Sequence, residues 1–382
     1  MSSSTVASAN VVTKFLKEVN HNYVRGGRFG PYIGKTENAI IQVKQDLKKV
    51  SIPLVAKITG AGVKGSATLS GNEVALSNYA YTLQPTYHRQ GVLVDNEENE
   101  KSEFELYQEA RPALTNWAME LKRDQIIQAM GAIEAGGTYY NYGGSEGANG
   151  STAAAAANMD TWLTANSDRI LYGAASSNTS AGNHTTSLGN IDTTSDKMTM
   201  NMVELLKTLA ENADPLIRPI YIKDDEPWFV LFLGTYAFRD LRVNLQTLHS
   251  NALPRSVEGN PLWSGGDLVV DGVIVKKVPE IDSMFISGTT GPFGGVWGAG
   301  AASGDGLNDA GDSSSRVSMG FLCGAQALGF GIGRMPSFNR RNEDDYGHQN
   351  GVGISMKHDI KKTFYNAKQH GMVTSFHSST AA

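Results

Sequence analysis

Val12, Phe15, Leu16, Val19 and Tyr23 recur at helical spacing in an otherwise polar N-terminal segment. That pattern predicts one short amphipathic helix. Arg25-Gly-Gly-Arg-Phe-Gly-Pro-Tyr32 follows with loop chemistry, so the chain begins as an extended arm able to lie on another surface. The period then changes. Ile52-Pro-Leu-Val-Ala-Lys-Ile58 is strand-like, a Gly/Ser/Asn-rich stretch fills 60–71, and a second strand-like region covers 74–94. Two strands joined by such a connection predict a long hairpin, with Pro53 and Pro85 suited to sheet edges. A ribbon of this kind buries little of itself and needs an outside surface to rest on.

Ser102-Glu-Phe-Glu105 has the form of a capping box. It opens a helix predicted to reach about Ala135, with Phe104, Tyr107, Leu114, Trp117, Leu121, Ile127 and Met130 as its buried stripe. The acidic run Asp95–Glu100 precedes it, where the macrodipole favours negative charge. Pro112 predicts a kink or break, and Gly136-Gly137 predicts the helix end.

Residues 136–195 are dominated by Gly, Ser, Thr, Asn and Ala and read as an elaborated loop region with one helix near 154–166. An ordered α/β stretch follows. It has a helix at 199–213 and a hairpin of Ile217–Ile222 with Trp228–Leu233. A helix after Thr235 carries Phe238, Leu241, Leu245 and Leu248. A second hairpin, Leu268–Val275, turns at Asp271-Gly272. Another Gly/Ser-rich loop spans 287–315, and a strand covers Arg316–Cys323. The chain closes with a predicted hairpin of 351–365 and 371–377 that turns at Asn366–Gly371. No internal repeat is present.

Composition narrows the class. The chain has 382 residues, 40% hydrophobic and 19% charged, with 42 glycines and a net charge of −5. The length suits two or three subdomains. No basic tail or stripe marks a dedicated nucleic-acid binder, although a mildly acidic wall can surround nucleic acid without gripping it. Nothing at the N-terminus resembles a signal peptide, and no apolar run reaches the ~18 residues of a membrane span. Cytoplasmic synthesis is the default. Cys323 lies in the apolar run Met319–Cys323 and reads as a buried small hydrophobe.

Two motifs invite an enzymatic reading. Gly60, Gly62 and Gly65 spell G-x-G-x-x-G, the form of a dinucleotide-binding turn. In such a site the third glycine opens a helix whose N-terminus holds the pyrophosphate. Here Gly65 is followed by Ser-Ala-Thr-Leu-Ser-Gly-Asn72, which is turn chemistry, and Lys64 is misplaced for a P-loop. Gly143-Gly-Ser-Glu-Gly147 matches G-x-S-x-G and nominates Ser145 as a hydrolase nucleophile. Yet Gly147-Ala-Asn-Gly-Ser151 delays the helix that should follow at once. The eight histidines match no zinc spacing, and the aspartates form no calcium loop. No catalytic, cofactor or metal site is expected.

The element order is an arm, a long hairpin, a capped long helix, a large α/β lobe with big loops, and a final hairpin. Local sequence accompanies that order: Gly60-Ala-Gly-Val-Lys-Gly65 with Leu69-Ser-Gly-Asn-Glu-Val-Ala-Leu76, Glu109-Ala-Arg-Pro-Ala-Leu114, Gly324-Ala-Gln-Ala-Leu328, and Asp345-Tyr-Gly347 with Ile360-Lys-Lys-Thr-Phe-Tyr365. Together these resemble the major capsid proteins of tailed bacteriophages, of a podovirus-type family, over roughly 35–135 and 215–377. The resemblance implies an α+β fold. Its parts are an N-terminal arm (1–36), an extended E-loop hairpin (37–93), a peripheral domain with a spine helix (94–135 and 340–382), and an axial domain (136–339) with loop insertions at 136–195 and 287–315. It also implies self-assembly through hexamers and pentamers into an icosahedral shell around double-stranded DNA. Implied partners are a separate scaffolding protein, a portal and decoration proteins. The residues expected at subunit contacts are Gly60, Gly62, Lys64 and Gly65 on the ribbon and Phe15, Leu16 and Val19 on the arm.

Overall fold

The computed structural model describes residues 28–45, 49–58, 60, 62–66, 68–101, 106–141, 144–145, 152–192, 195–223, 226–250, 268–285, 289–290, 296–297, 316–344 and 349–379. In chain order the first elements are β1 (Ile33–Gly34), β2 (Ile41–Gln45), β3 (Val50–Val55), β4 (Asn78–Leu83) and β5 (Thr86–Asp95). Helices α1 (Asn96–Lys101) and α2 (Leu106–Met130) follow, then β6 (Ile133–Ala135), β7 (Thr138–Asn141) and β8 (Gly144–Ser145). Next come α3 (Thr152–Ala165), β9 (Ile170–Tyr172), α4 (His184–Gly189), α5 (Met200–Asn212), β10 (Tyr221–Lys223), β11 (Glu226–Leu233) and α6 (Thr235–Ser250). The remainder is β12 (Leu268–Val270), β13 (Val273–Lys277), α7 (Glu280–Phe285), β14 (Thr289–Thr290), β15 (Val296–Trp297), β16 (Arg316–Cys323), β17 (Leu328–Asp344), β18 (Gln349–Lys362), β19 (Phe364–Tyr365), β20 (Lys368–Gln369) and β21 (Met372–Ser379).

The chain divides into two compact units. In the first, built on Tyr87–Lys122 and Arg334–Lys357, β18 lies between β17 and β5. Val352 and Ile354 of β18 meet Leu114, Trp117 and Ala118 of α2. Residues of the other parity carry polar contacts, with Asn339 Nδ2 donating to Ser355 Oγ at 3.1 Å.

The second unit, Gly27–Thr86, Arg123–Gly333 and His358–Ala382, is organised by a sheet in the order β12-β13-β11-β16-β21-β9, with β10 beside β11. Strand alternation sends Val230 and Phe232 of β11 to one face and Phe229, Leu231 and Leu233 to the other, and all five are buried. Ile127 and Met130 of α2 and Trp162 and Leu163 of α3 cover the first face. Met202 and Leu206 of α5 and Ala237 and Leu241 of α6 cover the second. A strand covered on both sides reads as an unbroken apolar run, which is the form of Trp228–Leu233. Cys323 is fully buried in the first face, as expected.

The helix at 199–213, the Asp271-Gly272 hairpin and the antiparallel pairing of Tyr221 with Trp228 match the sequence expectations. Four others need correction. Helix α2 ends at Met130, and Gly136-Gly137 instead closes the β6–β7 hairpin, with φ of 58° and 78°. Two consecutive left-handed residues make the tight hairpin turn that glycine permits. Of the kink or break expected at Pro112, the break does not occur, and α2 runs on through it. Arg111, Pro112 and Ala113 are exposed, so water can take the hydrogen bond that the ring cannot make. The stretch read as loop at 136–195 holds the expected helix, α3, but also β9 and α4, because Tyr172 and Leu188 enter the core as well. Finally, the C-terminal arms 351–365 and 371–377 do not pair with each other. β18 lies between β17 and β5, while β21 inserts between β16 and β9. The tight turn between them closes only β19 on β20, at Asn366 and Ala367 (φ 52° and 61°). The capping box at 102–105 and most of the 287–315 loop lie outside the described residues.

Polar side chains tie that turn down. Buried Arg169 donates to the carbonyl oxygens of Gln369 and Pro215. Asn166 donates from Nδ2 to the Ala367 carbonyl at 3.0 Å and accepts the Gln369 N–H at 2.8 Å. Nearby, the fully buried Lys362 ammonium donates to the Ala132 carbonyl at 3.3 Å and sits 5.7 Å from the Trp162 ring centroid and 5.6 Å from that of Phe364. Burial pushes its pKa down to about 7, against a smaller opposing influence of Cys323. The unfolded chain therefore holds the extra proton between pH 7 and the ordinary value of 10.5, and stability rises with pH across that window. Replacing Lys362 by Met removes the dependence. In scanning calorimetry of the subunit, the Tm of K362M relative to wild type should be highest near pH 7 and fall toward pH 10. Parallel curves would contradict this.

Candidate functional site

The β3–β4 ribbon is shorter than the hairpin expected from sequence: the region 74–94 forms two strands, of which only β4 pairs with β3 while β5 lies beside β18. Val50 pairs with Leu83 and Val55 with Asn78. Its base is held firmly. Tyr81 and Leu83 are buried with Tyr365, and the two tyrosine ring centroids are 6.3 Å apart. The Tyr365 hydroxyl donates to the Ile52 carbonyl at 3.4 Å, and the Gln84 N–H donates to Asp359 at 2.7 Å. A Cβ at Gly329 would stand 3.1 Å from Leu83, so the ribbon base lies close on β17.

The distal part differs in kind. Val55, Ile58, Leu69, Val74 and Leu76 are each 55–63% exposed. Exposed large apolar side chains at the end of β3 and along the connection are the sort of surface that an interaction site uses. Local turns shape the connection: the Asn72 N–H donates to the Leu69 carbonyl, and the Gly71 N–H donates to Glu73. Gly60, Gly62, Lys64 and Gly65 are exposed here. The three glycines have φ of 143°, 66° and 73°, and a Cβ at Gly62 or Gly65 would meet nothing within 4 Å. The glycines therefore serve the backbone conformation, since any other residue is strained there. Among the described residues no helix follows Gly65 until α1 at Asn96, so the helix N-terminus that would hold a pyrophosphate is not found after this turn. Phe15, Leu16 and Val19 lie outside the described residues.

Ser145 ends β8, paired with Tyr140 in the small β6-β7-β8 sheet. Among the described residues the next helix starts at Thr152. A nucleophile elbow turns directly from strand to helix, and six residues separate the two here. Among the described residues, no group of three or more His, Cys, Asp or Glu is placed to hold a metal, and no helix is long and apolar enough to cross a membrane. Neither enzymatic reading gains support from this geometry. Sequence reasoning missed the exposed apolar set at Ile58, Leu69, Val74 and Leu76. The available signal was apolar residues inside a turn-rich segment too short to enclose them.

The family model described as phage capsid protein matches residues 3–379. The chain belongs to the phage capsid protein family. It is 26% identical over 349 residues to the major capsid protein of Pseudomonas phage KPP25, covering 85% of this chain and 81% of that protein. Its structure is similar to the capsid asymmetric unit of cyanophage Pam1, with a TM-score of 0.84, 32% identity and complete coverage of both chains. The capsid of Ralstonia phage GP4 shares the fold, with a TM-score of 0.65, 18% identity, and coverage of 100% of this chain and 99% of that one. The α+β capsid fold expected from the sequence is thus the fold observed. Ser145→Ala should leave particle formation unchanged and remove no esterase activity toward a nitrophenyl ester. A particle-independent activity lost in that variant would revive the hydrolase.

Proposed function

We propose that this chain is a major capsid protein that self-assembles through hexamers and pentamers into an icosahedral shell enclosing double-stranded DNA. The observation that carries the reading is the family match over residues 3–379 in a chain whose ribbon is anchored at one end and bears uncovered apolar residues at the other. A neighbouring subunit supplies the missing cover. Burying one such side chain is worth about 1.5–3 kcal/mol before the cost of association. Repeated by symmetry, contacts of that size hold a closed particle.

In this reading residues 1–36 are the arm, 37–93 the E-loop, 94–135 with 340–382 the peripheral domain, and 136–339 the axial domain. Gly60, Gly62, Lys64 and Gly65 sit at the subunit contact, as do Phe15, Leu16 and Val19 of the arm. The net charge of −5 suits a wall that surrounds DNA without sequence-specific grip. A separate scaffolding protein, a portal and decoration proteins are the partners, and assembly takes place in the host bacterial cytoplasm. Deleting residues 59–71 should abolish particles in negative-stain microscopy while circular dichroism and melting report a folded subunit. Normal particle yield from the deletion variant would refute the role given to the ribbon.

A further inference from the structure

Residues 173–196 lie between β9 and α5 and carry a 3-10 turn at Ser176–Asn178 and the short helix α4. Leu188 and Ile191 of this connection are buried in the core, and the Gly173 N–H donates to the Phe376 carbonyl at 2.8 Å. Three side-chain attachments add to these. The Asp196 carboxylate accepts the N–H groups of Ala174 (2.8 Å) and Asp192 (2.9 Å) and the Nδ2–H of Asn178 (2.9 Å). Asp160 of α3 accepts the backbone N–H of His184 at 2.7 Å. The third attachment is the His184 ring, which is 1% exposed. Its centroid lies 5.1 Å from that of Phe376, 5.6 Å from Tyr172 and 6.0 Å from Trp162. Its Nδ1 is 2.5 Å from the Tyr172 hydroxyl, which donates to it while the ring is neutral.

The groups facing this ring come from three elements. α3 presents Trp162 and the Asp160 carboxylate, already engaged by the backbone of His184 itself. β9 presents the Tyr172 phenol, and β21 presents Phe376. His377, next along β21, projects to the opposite sheet face, and Asp196 lies beyond Asn178. A charged imidazole in this setting would lose its water and turn an acceptor nitrogen into a donor against a phenol already in contact.

We propose that His184 is an acid-sensitive latch: the neutral ring fastens residues 173–192 to α3, β9 and β21, and protonation releases that segment in preference to the rest of the unit. Burial holds the closed ring's pKa down to about 3, below the ordinary 6.5. The released ring regains the ordinary value. The open form therefore binds the additional proton between pH 6.5 and 3, and its population rises about tenfold for each unit of acidification in that range.

Hydrogen exchange of the full chain, corrected for the intrinsic pH dependence of exchange, tests this. Between pH 7 and pH 5, peptides covering 173–192 should lose protection by about 20-fold, while β16 changes much less. His184→Phe keeps an aromatic ring in the cage, and His184→Gln keeps an acceptor for the Tyr172 hydroxyl. Neither titrates, and whichever folds should show protection at 173–192 that no longer varies with pH. A flat wild-type response overturns the latch. So does a pH response that survives in these variants, which would assign it to the carboxylates. Equal loss across β16 and β21 overturns it as well, because the opening would then be global.

Discussion

The ribbon depends on one constraint: its two strands must be held at the base, because they cannot hold themselves. An isolated two-stranded hairpin is marginal in water. Here Tyr81 and Leu83 are buried against Tyr365 and close to Gly329, and Asp359 takes the Gln84 N–H. The alternation of β3, with Val50, Ile52 and Leu54 half-buried and Ser51, Pro53 and Val55 exposed, follows from that one-sided support. Beyond Val55 the support ends, and the apolar residues of the connection face solvent.

The support itself comes from β17, β18 and the turn that follows β18. β21 runs between β16 and β9, so the last strand of the chain completes the core instead of pairing with its neighbour in sequence. The polar clamp of Arg169 and Asn166 on the 366–369 turn fixes where the chain leaves β18 and enters β21. Tyr365, which braces the ribbon, is part of that turn. Core and ribbon base are thus joined through a few buried hydrogen bonds, each costly to leave unmade.

Local chemistry made much of this legible in advance. Asp271-Gly272 announced its hairpin because only a few residues tolerate that turn, and Trp228–Leu233 announced a strand, though not its burial on both faces. Gly136-Gly137 misled because two glycines suit a helix end and a hairpin turn equally well. The parting of β18 from β21 could not be read, because sheet membership is decided by packing between segments far apart in sequence. His184 gave no sign of its role, since the cage around it is drawn from positions 162, 172 and 376. Gly60 to Gly65 were read correctly as backbone glycines, from the turn chemistry after Gly65. The exposed Leu69, Val74 and Leu76 beside them were not anticipated, because an apolar residue in a sequence does not declare whether its own chain will cover it.

The central claim is that a second subunit covers the ribbon. Hydrogen exchange of residues 56–77, compared between dissociated subunits and assembled particles, tests it most directly. The account predicts strong protection of this segment on assembly, with little change in β16 and β21, which are already buried in the subunit. Closed particles whose 56–77 segment exchanges as fast as in the free subunit would contradict it.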